Sequence, residues 1–256
     1  MLETRLRSPR RGRIPLEGHR KGVFAGFIGF GLHKVFAVIG GGERFERMVR
    51  QRVRIRFRKQ DDLRLIGHRD LARLVERLFR RAGLRPAMSE GFHPKPRITF
   101  PSALALGFVG LDEVLEVEVG ELHDSVDLQA RLAKKAPRGF VIVSVTPLPL
   151  GTKKGKVRQM HYAFPVPKDR RERVNRQIAE FRRADSWPMP RVVREGTVDL
   201  RESLTKVNLR GDVLDMAFRP LSGASAGPRE ALSAFGLLDL EEEGSSVTRT
   251  AVELDS

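Results

Sequence analysis

Apolar and polar residues alternate along this chain with two different periods, and the changes of period mark strands and helices. Val53, Ile55 and Phe57 alternate with arginines, the period of two that is typical of a strand with one buried face. Over residues 68–82 the apolar side chains recur every three or four positions, and Gly83 supplies a stop. This part of the pattern predicts a β-strand followed by an amphipathic helix.

The same criteria place four further elements before residue 150. Strands are predicted at residues 97–102, 113–119 and 140–145, and a second helix at residues 126–135. The resulting order, β-α-β-β-α-β, is that of a ferredoxin-like unit, in which two helices cover one face of an antiparallel sheet.

A Gly/Lys linker at residues 151–156 precedes a second, similar succession of elements. Helices are predicted at 168–183 and 228–235. Strands are predicted at 160–166, 192–199, 207–209, 214–218 and 247–254. We therefore predict an α+β protein of two tandem ferredoxin-like units with antiparallel sheets, residues 48–150 and 151–256.

Residues 1–47 differ from the rest of the chain. A basic start is followed by an apolar run at 23–39, which is interrupted by His33 and Lys34. The run fits neither a signal peptide nor a membrane span well, because a span needs about 20 apolar residues. We expect these residues to be an upstream extension or a disordered segment, with a cytoplasmic protein starting at Met48. A membrane anchor is the alternative.

The composition excludes several kinds of site. The chain has no cysteine, so it forms no disulfide and holds neither an iron–sulfur cluster nor a zinc ion on thiolates. Its formal net charge is +16, and residues 51–100 alone hold 14 basic and 5 acidic side chains. Basic charge concentrated in this way favours polyanions such as nucleic acid. The alternative interpretation is that these arginines only solvate the protein surface and bind no polyanion.

The first candidate site residues lie at the start of the predicted helix. His68 titrates near neutrality, so it could transfer a proton or contact a phosphate, and Asp70 follows two residues later. A purely structural role at the helix start explains the pair equally simply. The helix also carries Arg69. It is followed by the arginines that we expect to bind phosphate groups, Arg73, Arg77, Arg80 and Arg81.

A second candidate group lies in the loop after this helix. Prolines 94 and 96 restrict the residues next to them, which makes the loop stiff enough for a ligand contact or for a simple chain reversal. The expected binding residues here are Ser89, Gly91, Phe92, His93, Lys95 and Arg97, of which Ser89 and Gly91 should also shape the entry to the loop. If the loop folds back along the start of the helix, His68 and His93 share a polar pocket. We predict no metal and no cofactor, because no ligand cluster accompanies the two histidines.

Several of these motifs together resemble a known family. The runs 67–71, 76–84, 89–98 and 104–107 occur in the order found in the radical-SAM-linked proteins, a domain of unknown function encoded beside or fused to radical S-adenosylmethionine (radical SAM) enzymes. One departure is Gly67, where that family usually has serine. The resemblance implies a radical SAM enzyme as partner and a site built around His68, Asp70 and the proline-rich loop.

The sequence thus predicts an accessory protein that binds a substrate, in this case RNA, for a separate radical SAM enzyme. A metal-independent RNA-processing endonuclease is the first alternative, because CRISPR repeat-processing enzymes also combine tandem ferredoxin-like domains with a helix-borne histidine. A protein–protein adaptor with a basic surface is the second.

Overall fold

The computed structural model describes residues 51–90, 92–149, 151–193 and 195–255. The predictions for residues 1–47 therefore lie outside the described residues. Below, residues 51–149 are called the first half and residues 151–255 the second half.

The elements of the first half follow from the alternation described above. A 3-10 helix at Asp61–Leu65 separates the first strand from the first helix. The strands and helices are β1 (Gln51–Lys59), α1 (His68–Arg81), β2 (Ile98–Thr99), β3 (Val109–Val119), α2 (Ser125–Lys135) and β4 (Phe140–Leu148).

The second half has more and shorter elements. A 3-10 helix at Lys168–Arg170 leads into its longest helix. Its helices are α3 (Arg171–Arg183), α4 (Leu200–Ser203), α5 (Pro228–Ala234) and α6 (Leu238–Glu242). Its strands are β5 (Val157–Pro165), β6 (Pro188–Pro190), β7 (Thr197–Asp199), β8 (Leu204–Arg210), β9 (Val213–Phe218) and β10 (Thr248–Leu254).

The fold is α+β, as predicted, with a mostly antiparallel sheet. In the described residues one eight-stranded sheet runs in the order β4-β1-β3-β10-β5-β9-β8, with β2 paired to β3. The strand pairs are antiparallel except for β3 and β10, which pair in parallel at Thr248↔Val109 and Arg249↔Gly110. This short parallel contact is where the two halves join.

Each half has its own hydrophobic core between the sheet and its helices. In the first half, Val53, Ile55 and Phe57 pack against the apolar side of α1. The second core is built from β5, α3, β8 and β9, and it also takes in Leu104 and Phe108 from the first half. Burial of these large side chains is the main stabilising term, at about 25 cal/mol per Å² of apolar surface.

Several elements differ from the sequence prediction. The strand expected at 97–102 pairs only at Ile98–Thr99, because residues 86–98 form a separate hairpin. At 192–199 only Thr197–Asp199 is a strand, and it pairs with Pro188–Pro190 outside the main sheet. Helices α4 and α6 and strand β6 were not predicted, since segments of three to five residues are too short for a clear period.

A buried ion pair spans the junction of the halves. The Nε of Arg249 on β10 donates to Glu113 Oε1 on β3 at 2.7 Å, and Nη2 donates to the other carboxylate oxygen. The remaining guanidinium nitrogen donates to Ser102 Oγ at 2.9 Å, so both charges are well partnered. Lys59 is also buried beside this pair, and its Nζ donates to the carbonyl of Ile66 at 3.0 Å. Burial lowers the pKa of Lys59, partly opposed by Glu113.

Candidate functional site

His68 and Asp70 lie at the exposed start of α1 and do not bond to each other. The His68 imidazole packs edge-on against Phe100, with 5.1 Å between ring centroids. Asp70 makes no capping bond; its Oδ1 accepts from Arg73 Nη1 at 3.3 Å, and both side chains are more than half exposed. The residue before the helix is Gly67, which has no side chain, so α1 begins without a side-chain cap. The Gly67 carbonyl accepts the first backbone bond of the helix, from the Leu71 amide.

The arginines of α1 form a continuous exposed row. Positions 69, 73, 77 and 80 recur at helical spacing, so their side chains project from one side of the helix. Within the described residues, no ion pair or hydrogen bond holds the side chains of Arg69, Arg77, Arg80 and Arg81. Their guanidinium groups are therefore available to an external anion.

Helix α2 carries further basic side chains, one of which contacts the end of α1. Its Arg131 is occupied, because Nη2 donates to the Ala82 carbonyl at 2.9 Å and so caps the C-terminal end of α1. Lys134, Lys135 and Arg138, by contrast, are exposed. Sequence analysis did not single out these three cations, although basic residues in a last helical turn are a recognisable signal.

The proline-rich loop is a hairpin held by hydrogen bonds at its base. The Ser89 amide donates to the Lys95 carbonyl at 2.8 Å, and the Lys95 amide donates to Ser89 Oγ at 2.9 Å. Next to this pair, Met88 forms a β-bridge with Pro96. Ser89 thus closes the base of the hairpin, whereas Gly91 lies outside the described residues.

The hairpin tip presents an aromatic ring and two basic groups to solvent. Phe92 is fully exposed, at 102% of its reference surface, and His93 and Lys95 are exposed as well. Arg97 is different, because its Nη1 lies 3.3 Å from Glu118 Oε2 and its Nε donates to the Met88 carbonyl. Arg97 therefore anchors the hairpin, while the tip residues remain free for contact.

The structure does not bring His68 and His93 together in a shared pocket. His68 contacts Phe100, which follows the pairing of Thr99 with Glu116. The hairpin leaves the sheet further along β3, where the Ala87 amide donates to the Glu118 carbonyl. That end of β3 adjoins the C-terminal end of α1, because the Gly120 amide donates to the Arg85 carbonyl. The hairpin thus extends the basic surface from the end of α1 and does not fold back to its start.

Three arginines of β1, unlike most of those of α1, are held in ion pairs. Arg52 and Arg54 both bond to Glu116, the latter at 2.9 Å, and Arg56 bonds to Asp112. Burial tends to raise the pKa of Glu116, but the hydrogen bonds from Arg54 and Arg52 outweigh it and hold that pKa below its ordinary value. The linker covers this ladder, since the Gly155 amide also donates to Glu116. Antiparallel pairing of β1 with β3 therefore gives each of these three arginines an acidic partner.

Two general properties of the described residues complete this picture. They contain no cluster of three or more His, Cys, Asp or Glu side chains suited to a metal ion. Among them, no helix is both long enough and apolar enough to cross a bilayer.

Comparison with known proteins identifies a family for this chain. No curated protein matches it. A crystal structure of an unknown protein from Galdieria sulphuraria is similar at 13% identity and a TM-score of 0.26, over 81% of this chain and 99% of that one. Residues 52–228 match the family described as uncharacterized protein conserved in bacteria (DUF2344), a match that includes α1, the hairpin and most of the second half. The chain therefore belongs to the DUF2344 family.

Proposed function

We propose that this protein binds RNA through the exposed arginines of α1 and the adjoining hairpin, as an accessory to a separate enzyme. The observation that carries the proposal is a set of four exposed α1 arginines, Arg69, Arg77, Arg80 and Arg81, whose side chains have no partner in the described residues. Several unpaired guanidinium groups along one helix suit a chain of phosphates, because each contact releases condensed counterions. Paired arginines such as those of β1 gain less, since an existing ion pair must first be broken.

The partner enzyme in this proposal is a radical SAM enzyme. This choice of partner rests on the resemblance of the motifs at 67–71 and 89–98 to the radical-SAM-linked family, which also implies a cytoplasmic protein. Those motifs include His68 and the hairpin, and both lie on the exposed surface described above. We expect affinity purification of the native protein to recover a radical SAM enzyme, and RNase treatment to show whether RNA links the two.

We also propose that each half is a ferredoxin-like unit. The strand order β4-β1-β3-β2 in the first half supports this, as does β10-β5-β9-β8 in the second. Both orders place the first and third strands of a unit side by side at its centre, as in the ferredoxin-like arrangement.

The RNA proposal predicts a specific change in salt dependence. For a fluorescent single-stranded RNA, the slope of log K against log salt should flatten by roughly 0.7 for each phosphate that the protein no longer neutralises. Replacing the unpaired Arg77, Arg80 and Arg81 together by Gln should therefore flatten the slope by about two units. Fluorescence anisotropy over a salt series measures the slope directly.

A matched variant controls for the change in net charge. Lys168, Arg176 and Arg183 are exposed residues in or beside α3, and replacing them by Gln removes the same three charges. The proposal requires this variant to keep nearly the original slope. Equal slopes for the two triple variants would show that α1 is not the binding surface. RNA recovered in shorter, discrete fragments that disappear with His68→Ala would instead favour the endonuclease alternative.

A further inference from the structure

Among the described residues, one face of the second half's sheet carries no helix, and none of the proposed RNA contacts uses it. Its helices pack on the side of the sheet that carries Phe164 and Leu214. On the opposite side, His161 on β5 is opposite Ala217 on β9, which is opposite Lys206 on β8. In a neighbouring row of the same face, Ala163 is opposite Asp215.

Small side chains make this face concave. Ala217 lies between the two longer side chains of its row, and Ala251 on β10 is the neighbour of His161 on the other side. The result is a pocket of about 220 Å³. Its polar side chains are those of His161, Lys206, Arg210, Asp215 and Thr250.

The rim of the pocket carries an excess of positive charge. Lys206 is exposed and has no ion pair in the described part of the chain. Arg210 is 68% exposed, and its Nε lies 3.5 Å from Asp215 Oδ2, a distance longer than a normal hydrogen bond. Two cations thus face one carboxylate, and the Arg210 guanidinium retains free donors.

His161 is held in one orientation at the side of the pocket. Its Nε2 lies 2.9 Å from Glu253 Oε1, and the other carboxylate oxygen of Glu253 accepts from Arg158 at 2.5 Å. Arg158 therefore offsets the charge of Glu253, so this carboxylate adds little repulsion towards an anion. The Nδ1 of His161 remains available for a ligand.

We propose that this pocket binds a phosphorylated sugar. Lys206 and Arg210 provide the charged donors that a phosphoryl group requires, and Arg210 can offer two parallel N–H groups. Asp215 accepts hydrogen bonds from sugar hydroxyls, and Thr250 can donate or accept. A purely anionic ligand would gain nothing from Asp215, whereas a ligand with adjacent hydroxyl groups uses both charges of the rim.

The size of the pocket limits the ligand to one such unit. Sites for drug-sized ligands have volumes of about 300 to 1,000 Å³, and this pocket is smaller. One sugar phosphate can come from two sources, a free metabolite or the 5′ end of an RNA strand. The inference does not depend on the α1 surface, because its residues lie on β5, β8, β9 and β10.

Titration calorimetry with ribose 5-phosphate tests the proposal. We expect saturable binding, weakened roughly tenfold or more by Lys206→Gln or Arg210→Gln, since each change removes a charged hydrogen bond. The Arg176→Gln variant removes one exposed charge elsewhere and should bind as the original protein does. Asp215→Ala should bring the affinities for ribose 5-phosphate and inorganic phosphate together.

The position of binding is read from the histidine ring signals in NMR spectra. On addition of ribose 5-phosphate the His161 signal should shift, while the signal of His93 at the hairpin tip should not. Competition by a 5′-phosphorylated oligoribonucleotide, but not by its 5′-hydroxyl form, would identify the RNA end as the source; a lack of competition by both would identify the free sugar phosphate. Absence of binding, or equal affinity in the Lys206→Gln, Arg210→Gln and Arg176→Gln variants, would overturn the proposal and leave the α1 proposal unaffected.

Discussion

Phe92 is a large apolar side chain that gains nothing from burial within the described residues. Its ring is fully exposed at the tip of a hairpin whose base is fixed by the bonds between Ser89 and Lys95. A held backbone reduces the entropy that a contact at the tip would cost. An exposed ring beside basic groups is a suitable platform for an unpaired base, because every base offers a π-face.

The stacking role of Phe92 can be separated from a merely hydrophobic one. Phe92→Leu keeps an apolar side chain but removes the ring, and it should weaken binding of single-stranded RNA roughly tenfold, given about 1 to 3 kcal/mol per stacked base. Phe92→Trp keeps an aromatic ring and should bind RNA about as tightly as the original protein does. Fluorescence anisotropy with an unstructured RNA and a matched blunt duplex measures both effects. Equal binding by the Leu and Trp variants would contradict stacking, and so would an identical decrease on the duplex.

Along β1 and β3 the charged side chains form a ladder of ion pairs. Arg52 and Arg54 share Glu116, whose side chain is only 1% exposed, and Arg56 uses Asp112. Antiparallel pairing sets these partners, since Arg54 is directly opposite Glu116 in the register. The arginines of this ladder are paired and partly buried, whereas most of those on α1 are unpaired and exposed, which is why we assign phosphate binding to α1 and not to this sheet face.

The ladder makes a prediction about pH. The pKa of Glu116 is lower in the folded protein than in the unfolded chain, so its stabilising effect is full above the unfolded value, about 4.3. It is lost as the pH falls through the lower, folded pKa. Glu116→Gln should therefore lower the free energy of unfolding by roughly 2 kcal/mol at pH 7, and the difference should shrink below about pH 4.

Urea unfolding of both proteins between pH 3 and 7 measures this difference. Glu121→Gln is a suitable control, since Glu121 is exposed and lies just beyond the end of β3. Glu121→Gln should change the free energy of unfolding only slightly at every pH. A Glu116→Gln difference that stays constant down to pH 3 would show that the ionised carboxylate is not what stabilises the ladder.

At the scale of the whole molecule, sequence periodicity predicts local elements better than the contacts between them. The alternation at Val53–Phe57 and the helical stripe of α1 correspond to observed elements because each buries one face of a single segment. The base of the hairpin depends on bonds between Ser89 and Lys95 that have no periodic signal. The pocket at His161 combines four strands, so no sequence interval contains it.

The junction of the halves was equally hidden in the sequence. Arg249 and Glu113 are 136 positions apart, and each stands in a strand where a charged residue normally indicates the solvent side. Their burial follows from the parallel contact of β3 with β10, which is a tertiary event. Leu104 and Phe108 add a second link, because they precede β3 in the chain but pack in the core of the second half.

The buried pair should therefore hold the halves in register, and breaking it should be costly. Removing one partner leaves the other charge buried without compensation, so Arg249→Met or Glu113→Leu should each lower the free energy of unfolding by about 3 kcal/mol or more. The double variant places two apolar side chains together and should be considerably more stable than the sum of the single effects predicts. Urea unfolding, followed by circular dichroism, measures the free energy of unfolding of the original protein, the two single variants and the double variant.

The Arg170–Asp239 pair provides a comparison for burial. Its ion pair is similarly close, at 2.7 Å, but the side chains are 33% and 45% exposed and both residues belong to the second half. Arg170→Met should cost less than Arg249→Met, because water can solvate the Asp239 carboxylate that remains. If the two single variants at the junction were no more destabilising than Arg170→Met, or if their effects simply added, the junction would depend on the apolar contacts of Leu104 and Phe108 and not on the ion pair.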